Sequence, residues 1–266
     1  IVAVSGGPDS LALSFLTRIY SIEKSIKVKY VMIDHKLRKN STKESRIVKK
    51  LLQKLNCNLE IETWWGTKPK TNIQSVAREK RYKLLIGKAK KFKINNILLG
   101  HHKDDLYENF FIRILRGSGL NGIASFDKRS KEKNINLIRP LLNFSKQDLE
   151  SLSKNVFETF IQDPSNKNDL FKRIKIRKLI KNLQSEGLDF KKLNLTIQNL
   201  KFANESIKFF TKKNLYYNSS INTKNKSILL SKEFFNQPEE IVFRAFTEVI
   251  KIVGKKYYPV RGKKID

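Results

Sequence analysis

Short runs of β-branched and other apolar residues alternate with stretches of helical periodicity through the first half of the chain. Strands separated by helices need crossover connections, which make the strands parallel and cover both faces of the sheet with helices. The alternation therefore predicts an α/β domain with a parallel five-stranded sheet, and such sheets bind ligands at the carboxyl ends of their strands. The predicted strands are Ile1–Val4, Val28–Ile33, Leu59–Ile61, Ile97–Leu99 and Leu137–Ile138, and the predicted helices begin near Asp9, Thr42, Asn72 and Lys103.

The strand signal fades after Pro140, and the rest of the chain carries mainly helical periodicity. Gly187 interrupts the apolar pattern and marks the predicted domain boundary. We expect residues 1–186 to form the sheet domain with a helical extension, and residues 187–266 to form a smaller, mainly helical domain. The predicted elements after Pro140 are the helices Ser145–Lys154, Leu170–Leu183, Phe190–Tyr217 and Pro238–Val253 and the strand Ser227–Leu230.

Lysine and arginine outnumber aspartate and glutamate by 55 to 25 in the 266 residues, which gives a net charge of +30. This surplus exceeds what internal ion pairs use, so it faces solvent or a polyanion. Nucleic acid is the first candidate, because a phosphate backbone rewards dispersed cations through counterion release, and an anionic membrane surface is the second. An AT-rich genome, which enriches lysine and asparagine on surfaces, is the alternative explanation. Charge alone therefore does not identify the partner.

Cys57 is the only cysteine, which excludes a disulfide framework, a thiolate metal cluster and a redox pair. A reducing cytosol is the expected compartment, and Cys57 is expected to be a small buried apolar residue. The opening apolar run Ile1–Val4 is far too short to span a bilayer. We therefore predict a cytoplasmic protein that makes no use of a membrane.

A loop with two adjacent glycines, Ser5–Ser10, follows the first predicted strand and opens the first predicted helix. Backbone N–H groups and the helix dipole bind phosphate in this geometry. The glycines let the backbone approach phosphate oxygens, Pro8 suits the first helical turn, and the hydroxyls of Ser5 and Ser10 can donate to phosphate. The loop has neither the lysine of the Walker pattern nor the spacing of the dinucleotide fingerprint. It predicts a different kind of site for the phosphates of a nucleotide.

A second group of functional side chains, His101–Asn109, lies at the end of the fourth predicted strand and in the helix that follows. Asp104 and Glu108 are four residues apart, and Asp105 and Glu108 are three apart, so the carboxylates converge near the helix N-terminus. That N-terminus lies at the sheet edge that carries the phosphate loop. Carboxylates there suit Mg²⁺, which prefers oxygen ligands and substrate phosphates, or an incoming ammonium group. Complementing the helix dipole is the alternative role.

The loop Ser5–Ser10 resembles the PP-loop of the ATP pyrophosphatases, enzymes that cut between the α- and β-phosphates of ATP and transfer AMP to an acceptor. Over nearly the whole chain, the sequence resembles one family of this class, the tRNA(Ile)-lysidine synthetases. Each motif is weak alone, but their order and spacing together are specific. The segments that carry the resemblance are Ile33–Arg38, Ala77–Tyr82, His101–Asp105, Arg113–Leu120, Arg139–Leu142, Asp163–Asn166 and Tyr258–Gly262.

The resemblance implies a Rossmann-like fold of the adenine nucleotide alpha hydrolase type and a two-step reaction. The C2 carbonyl oxygen of the wobble cytidine in the CAU anticodon of tRNA(Ile) attacks the α-phosphate of ATP. Free lysine then displaces AMP and forms lysidine, which switches codon reading from AUG to AUA. By the same resemblance, Ser5, Gly6, Gly7, Pro8, Asp9, Ser10 and His35 bind ATP, Asp34, His101, Asp104, Asp105 and Glu108 are catalytic, and Asp104, Asp105 and Glu108 bind Mg²⁺.

Arginines complete the predicted site, because a guanidinium fork matches phosphate oxygens. The alternative role is solvated helix charge for those on helices and an internal ion pair for Arg139, which stands at a strand end before Pro140. Two residues depart from the family pattern: Asn109 stands where threonine is frequent, and Ile174 stands where asparagine is usual. The predicted contacts to phosphate or tRNA are Arg78, Arg81, Arg113, Arg116 and Arg139.

The partners implied are tRNA(Ile) with a CAU anticodon and free L-lysine, and residues 187–266 are expected to bind tRNA. Longer members of the family carry a further C-terminal domain that this chain is expected to lack, and a homodimer is one open form of assembly. Among rival functions, a tRNA thiolation enzyme needs a persulfide cysteine or an iron–sulfur cluster, which Cys57 alone does not supply. A small-molecule synthetase with the same loop needs an ammonia source. A tRNA-binding module without catalysis would have lost the acidic cluster, and the cluster is intact.

Overall fold

The computed structural model describes residues 1–38, 40–69, 71, 73–162, 172–223, 225 and 227–254. The described residues divide into two compact units. The first comprises the described residues within 1–118 and 125–187, and the second comprises those within 119–124 and 188–254. Two segments that carry the family resemblance, Asp163–Asn166 and Tyr258–Gly262, lie outside the described residues.

The first unit is built around a sheet of six strands: β1 (Val2–Val4), β2 (Tyr30–Asp34), β3 (Leu59–Thr63), β4 (Asn96–Leu98), β5 (Arg129–Glu132) and β6 (Ile135–Ile138). Their order is β3-β2-β1-β4-β6-β5. The first five in this order are parallel, which confirms the predicted parallel sheet. The sixth strand, β5, pairs antiparallel with β6 and was not predicted. Its sequence Arg-Ser-Lys-Glu is poor in strand-forming residues, so pairing at the sheet edge decides its conformation.

The helices are α1 (Pro8–Glu23), α2 (Ser41–Gln53), α3 (Ile73–Lys91), α4 (Lys103–Ile114), α5 (Leu120–Ile123), α6 (Lys146–Phe157), α7 (Lys172–Ser185), α8 (Phe190–Asn218), α9 (Lys232–Phe235) and α10 (Glu239–Val253). In the first unit they cover both faces of the sheet. Along β2, Tyr30 and Met32 pack in one cluster with α1, α2 and α6, whereas Val31 and Ile33 pack in a second cluster with α3. Because successive strand residues face opposite sides, a strand buried on both faces is apolar throughout.

The second unit is mainly helical, as predicted. Its long helix α8 packs against α10, and a small core forms around Phe234, Ala245 and Val249. The strands β7 (Ser219–Asn222) and β8 (Ser227–Leu230) form an antiparallel pair beside them. Within the described part of the chain, no helix is long and apolar enough to cross a membrane.

Candidate functional site

The candidate site lies where the strand order of the sheet reverses. From β1 the chain passes to β2 and β3 on one side, and it then crosses to β4 on the other side of β1. The loops that follow β1 and β4 therefore diverge at the carboxyl edge, which is where open α/β sheets bind ligands. These two connections carry both groups of predicted site residues, Ser5–Ser10 and His101–Glu108.

Two glycines allow the connections to approach each other and the rest of the unit. Gly6 has a positive φ of +85°, and a Cβ atom there would lie 2.5 Å from Cγ2 of Val48. A Cβ atom on Gly100 would lie 3.2 Å from backbone atoms of Asp9 and Ser10. The phosphate loop and the end of β4 are thus in backbone contact. A side chain at Gly100 would require these backbone atoms to shift by a few tenths of an ångström.

The hydroxyl of Ser10 holds the phosphate loop in shape. Its Oγ accepts hydrogen bonds from the backbone N–H groups of Ser5 and Gly6, both at 3.1 Å, and donates to the carbonyl oxygen of Gly7 at 3.0 Å. The hydroxyl of Ser5 donates to the same Oγ. These bonds organise the loop from within, and direct donation from Ser5 and Ser10 to phosphate stays a prediction. Pro8 is the first residue of α1, as expected, because the N–H that proline lacks has no partner within the first turn of a helix.

Asp9 lies in the first turn of α1 and faces the second connection. Burial raises its pKa to about 6, and the neighbouring carboxylate of Asp105 adds to the increase while His102 opposes it. Oδ2 of Asp9 lies 3.8 Å from Nε2 of His102, and its Oδ1 is buried without a hydrogen-bond partner among the described residues. This arrangement leaves a buried carboxylate oxygen free to receive a ligand at the helix N-terminus.

Asp9→Asn is expected to stabilise the protein at pH 7 and to change little at pH 4. With a folded pKa of about 6 against 3.8, Asp9 binds more protons folded than unfolded, so its carboxylate lowers stability as the pH rises through this window. The free energy of unfolding should rise by about 1–3 kcal/mol at pH 7. Urea titrations at both pH values, with a chelator present, measure this. Equal effects at the two pH values would show that the Asp9 carboxyl is not the cause.

His102 joins the phosphate loop to the acidic cluster. It is the N-cap residue of α4, and its Nδ1 accepts a hydrogen bond from the N–H of Asp104 at 3.3 Å. Nε2 on the other side of the ring lies 3.8 Å from Oδ2 of Asp9 and 3.6 Å from Oδ2 of Asp105. His102 is 3% exposed. The sequence analysis did not predict a role for His102. Its position between the carboxylates of Asp9 and Asp105 is visible only in the structure.

Asp105 and Glu108 form the buried part of the acidic cluster, at 8% and 2% exposure. Burial alone would raise the pKa of Asp105, but His102, His101 and Arg173 lower it below its usual range. Burial raises the pKa of Glu108, although the guanidinium of Arg177 opposes the increase. Asp105 also accepts a hydrogen bond from the backbone N–H of His102, which completes a capping box at the start of α4.

Two arginines from α7 face these carboxylates, and the sequence interpretation did not include them in the site. Nε of Arg177 lies 2.5 Å from Oε1 of Glu108, and Nη1 of Arg173 lies 3.7 Å from Oδ1 of Asp105. The short distance to Arg177 favours the charged form of Glu108, which its burial opposes. Oε2 of Glu108 has no hydrogen-bond partner among the described residues. Helical periodicity predicted α7, but no local pattern indicates which helix it packs against.

Asp34 is the last residue of β2 and His35 follows it, on the side of β1 away from β4. Oδ1 of Asp34 accepts from the N–H of Lys36 at 3.0 Å, and Oδ2 accepts from the hydroxyl of Thr42 at 2.8 Å. Burial would raise the pKa of Asp34, but these hydrogen bonds lower it below its usual range. Burial, reinforced by the guanidinium of Arg81, lowers the pKa of His35 to about 4. Near neutral pH the edge therefore offers an ionised carboxylate and a neutral imidazole.

His101 and Asp104 complete the predicted catalytic group. Burial lowers the pKa of His101, whose ring lies edge-on to Phe126. The side chain of Asp104 is 46% exposed, unlike those of its buried neighbours Asp105 and Glu108. Within the described residues, no group of three or more His, Cys, Asp or Glu side chains is arranged to hold a metal ion. The Mg²⁺ set of Asp104, Asp105 and Glu108 stays a prediction.

The predicted arginines occupy different environments. Burial lowers the pKa of Arg81, and Arg78 donates to the hydroxyl of Tyr82 at 3.1 Å. Arg139, which follows β6, is buried and donates to the carbonyl oxygen of Asp127 and the hydroxyl of Ser130. These hydrogen bonds connect the end of β6 to β5 and to the residues before it. These internal bonds fit the structural alternative, and contact between Arg139 and phosphate stays a prediction. Arg113 is half-buried and Arg116 is exposed, and their contact with RNA stays a prediction.

A family model described as a PP-loop domain matches residues 1–183. The chain is 35% identical over 213 residues to a tRNA(Ile)-lysidine synthase of Bradyrhizobium diazoefficiens, which covers 79% of this chain and 59% of that protein. It is 33% identical over 264 residues to a tRNA(Ile)-lysidine synthase of Wolbachia pipientis wMel, covering 98% of this chain and 61% of that protein. The chain thus spans about three fifths of the length of these curated relatives.

Among solved structures, the chain is similar to the U34-tRNA thiolase NcsA from Methanococcus maripaludis, which was solved with its 4Fe-4S cluster. The TM-score is 0.59 at 18% sequence identity, over 77% of this chain and 70% of that one, so the likeness concerns the fold alone. The matched family segment holds the phosphate loop, the switch-point crevice and the acidic start of α4. With 183 of its 266 residues in that match, the chain belongs to the PP-loop domain family.

Proposed function

We propose that this protein joins lysine to C2 of the wobble cytidine in the CAU anticodon of tRNA(Ile), at the expense of ATP. The observation that carries the proposal is the meeting of the two connections at the switch point, where His102 lies between Asp9 of the phosphate loop and Asp105 of the acidic cluster. The phosphate loop thus stands beside a cluster of carboxylates. A reaction that uses ATP in its first step and a cationic amine in its second requires a phosphate-binding loop and carboxylates at the same site.

In the first step, the loop Ser5–Ser10 and the N-terminus of α1 hold the phosphates of ATP through backbone N–H groups and the helix dipole. The C2 carbonyl oxygen of the cytidine attacks the α-phosphorus, the bond to the bridging oxygen breaks, and pyrophosphate leaves. A carbonyl oxygen is a poor leaving group until it is adenylated. A base in an unpaired loop can be presented to such a site without opening a duplex.

In the second step, Asp105 and Glu108 receive the ammonium group of lysine near the start of α4. The bond from the lysine nitrogen to C2 forms, the bond from C2 to the activated oxygen breaks, and AMP leaves with that oxygen. The amine must lose a proton to attack. Glu108 is suited to accept it, because burial raises its pKa and its Oε2 has no hydrogen-bond partner among the described residues.

Mg²⁺ commonly binds through one or two carboxylates together with substrate phosphates. Asp9 and Asp105 fit this use, because both lie near Nε2 of His102 and Oδ1 of Asp9 is buried without a partner among the described residues. We therefore propose that Asp105, from the predicted set, serves both steps: with Asp9 it holds Mg²⁺ while ATP is bound, and with Glu108 it then receives the ammonium group of lysine. When bound, the ion would neutralise charge on the phosphates of ATP.

The second unit is proposed to bind the tRNA. Along α8, the side chains of Phe202, Phe209 and Tyr216 recur every seven residues and are all exposed. Lysines lie between them on the same helix, at Lys208 and Lys212 among others. Exposed aromatic rings among lysines suit stacking on bases and contact with phosphates.

The decisive experiment is mass spectrometry of nucleosides after the protein is incubated with ATP, lysine and tRNA(Ile) bearing CAU. A cytidine whose mass rises by that of lysine minus water is the expected product, and it should be missing when lysine or ATP is left out. A nucleoside that gains sulfur would instead indicate thiolation. An unmodified wobble cytidine under conditions where the tRNA is bound would overturn the proposal.

A further inference from the structure

The two tryptophans of the chain stand side by side directly after β3, and their environments differ. Trp64 is 6% exposed and packs edge-on against the ring of His35. Trp65 is 76% exposed. An indole ring this open to water leaves most of its flat apolar surface available for contact with a ligand.

Trp65 lies at the carboxyl edge of the sheet, beside the candidate site. The N–H of Trp64 donates to the carbonyl oxygen of Asp34 at 2.8 Å, so the pairing of β2 with β3 continues past the last strand residues. Strand β2 separates β3 from β1. Two strand spacings, about 10 Å, therefore separate the end of β3 from the phosphate loop.

Two lysines surround the tryptophans. Nζ of Lys36 lies 4.2 Å from the ring centroid of Trp65, and Nζ of Lys68 lies 4.0 Å from that of Trp64. Nζ of Lys68 also donates to the carbonyl oxygen of Trp64 at 2.7 Å, and among the described residues neither ammonium group forms an ion pair with a carboxylate. Their charge is therefore available to an anionic ligand beside an exposed ring.

The approach to the ring is open. Gly66 follows Trp65 with a φ of +111°, and a Cβ atom built there would meet no other atom within 4 Å. An apolar protein surface would gain little from one isolated indole between lysines. An unpaired RNA base fits both features, because it stacks on an aromatic ring while its phosphates attract the ammonium groups.

We infer that Trp65, with Lys36 above it, is a stacking platform for an unpaired base of the RNA substrate, next to the base that is modified. The inference rests on the proposed function in taking the anticodon loop as that RNA. It adds a positioning residue to the site: Trp65 touches none of the reacting atoms and holds the loop in register with the ATP.

Trp64→Phe makes Trp65 the only tryptophan, so its fluorescence reports directly on the platform. Titration with a hairpin RNA of the anticodon stem and loop is expected to quench this fluorescence as the base stacks. In Trp65→Phe only the buried Trp64 remains, and the same titration should leave its emission unchanged. Trp65→Ala should weaken binding of the hairpin by about 5- to 150-fold, and Trp65→Phe should restore much of the affinity.

Matched controls come from the opposite edge of the sheet. Lys29 precedes β2 and lies 5.3 Å from the ring centroid of Phe92, so Lys29→Ala removes a comparable cation–π lysine there, whereas Lys36→Ala removes the one at the platform. Tyr20, near the end of α1 and 53% exposed, gives a matched aromatic deletion as Tyr20→Ala. Only Lys36→Ala and Trp65→Ala are expected to weaken hairpin binding.

Titration with ATP separates the RNA base from adenine. If ATP quenches Trp65 and Trp65→Ala weakens ATP rather than the hairpin, the platform belongs to the nucleotide and the inference is overturned. Unchanged hairpin affinity in Trp65→Ala overturns it as well, even in a protein that makes lysidine. Quenching by the hairpin in a protein that makes no lysidine would uphold the platform and count only against the proposed function.

Discussion

Asp105→Asn is expected to slow lysidine formation by about 10²–10³-fold, a loss typical of removing one preorganised polar group that stabilises the reacting groups. The carboxylate is buried at the start of α4, faces Arg173 at 3.7 Å and lies 3.6 Å from Nε2 of His102. Asparagine keeps its shape but not its charge, so the ammonium group of lysine loses its partner. Affinity for tRNA should change by no more than a few-fold, because contacts to the phosphate backbone dominate it. Single-turnover assays and filter binding measure the two quantities.

Asp148→Asn is the matched control for this substitution. Asp148 occupies the same N3 position in the capping box of α6 that Asp105 occupies in α4, but it is exposed and lies outside the candidate site. The control loses the capping carboxylate alone, so its rate of lysidine formation should equal that of the unsubstituted protein. If both variants slow the reaction equally, Asp105 acts only by capping α4. An equal loss of tRNA binding in Asp105→Asn would also contradict its role toward lysine.

Gly6→Ala is expected to destabilise the first unit by about 2–5 kcal/mol and to abolish ATP-dependent pyrophosphate release. Alanine would be strained at a φ of +85°, and its methyl group would lie 2.5 Å from Cγ2 of Val48. Relief of this clash requires the loop or α2 to move, and the hydrogen bond from the N–H of Gly6 to Ser10 would be distorted. Thermal unfolding and pyrophosphate release measure the two effects.

Gly87→Ala shows what the same substitution does where alanine fits. Gly87 lies on the exposed side of α3, and nothing lies within 4 Å of the added Cβ position. Alanine there should stabilise the helix by about 0.5–1 kcal/mol. If Gly6→Ala is as stable as Gly87→Ala, the loop after β1 has a different backbone from the one described.

The parallel sheet could be predicted because each central strand is apolar on both faces and each crossover is a periodic helix. The strand β8 was predicted with the bounds Ser227–Leu230 that the structure shows. Strand β5 escaped prediction because Arg129–Glu132 has no apolar pattern, and only pairing with β6 makes it a strand. Local propensity predicts the conformation of an isolated segment, whereas the conformation of an edge strand depends on the strand with which it pairs.

The loop Ser5–Ser10 and the carboxylates of α4 could be placed at one edge, because strand order and helix spacing are both read from local sequence. The counterions of the carboxylates could not be placed. Arg177 and Glu108 are 69 residues apart, and their meeting depends on how α7 packs against α4. Trp65 was not predicted as a site residue for another reason: a tryptophan after a strand is typical of packing, and only its exposure in the structure indicates a surface role.

The ion pair between Glu108 and Arg177 also has a consequence for synthesis on the ribosome. Glu108 is buried in the folded unit, but its counterion Arg177 is synthesised 69 residues later. At about 5–20 residues per second, that delay is roughly 3–14 s. During this interval the unpaired carboxylate of Glu108 on α4 is more stable in water than buried in the unit. The unit would therefore close late in translation, after α7 has emerged, rather than strand by strand from its first residues.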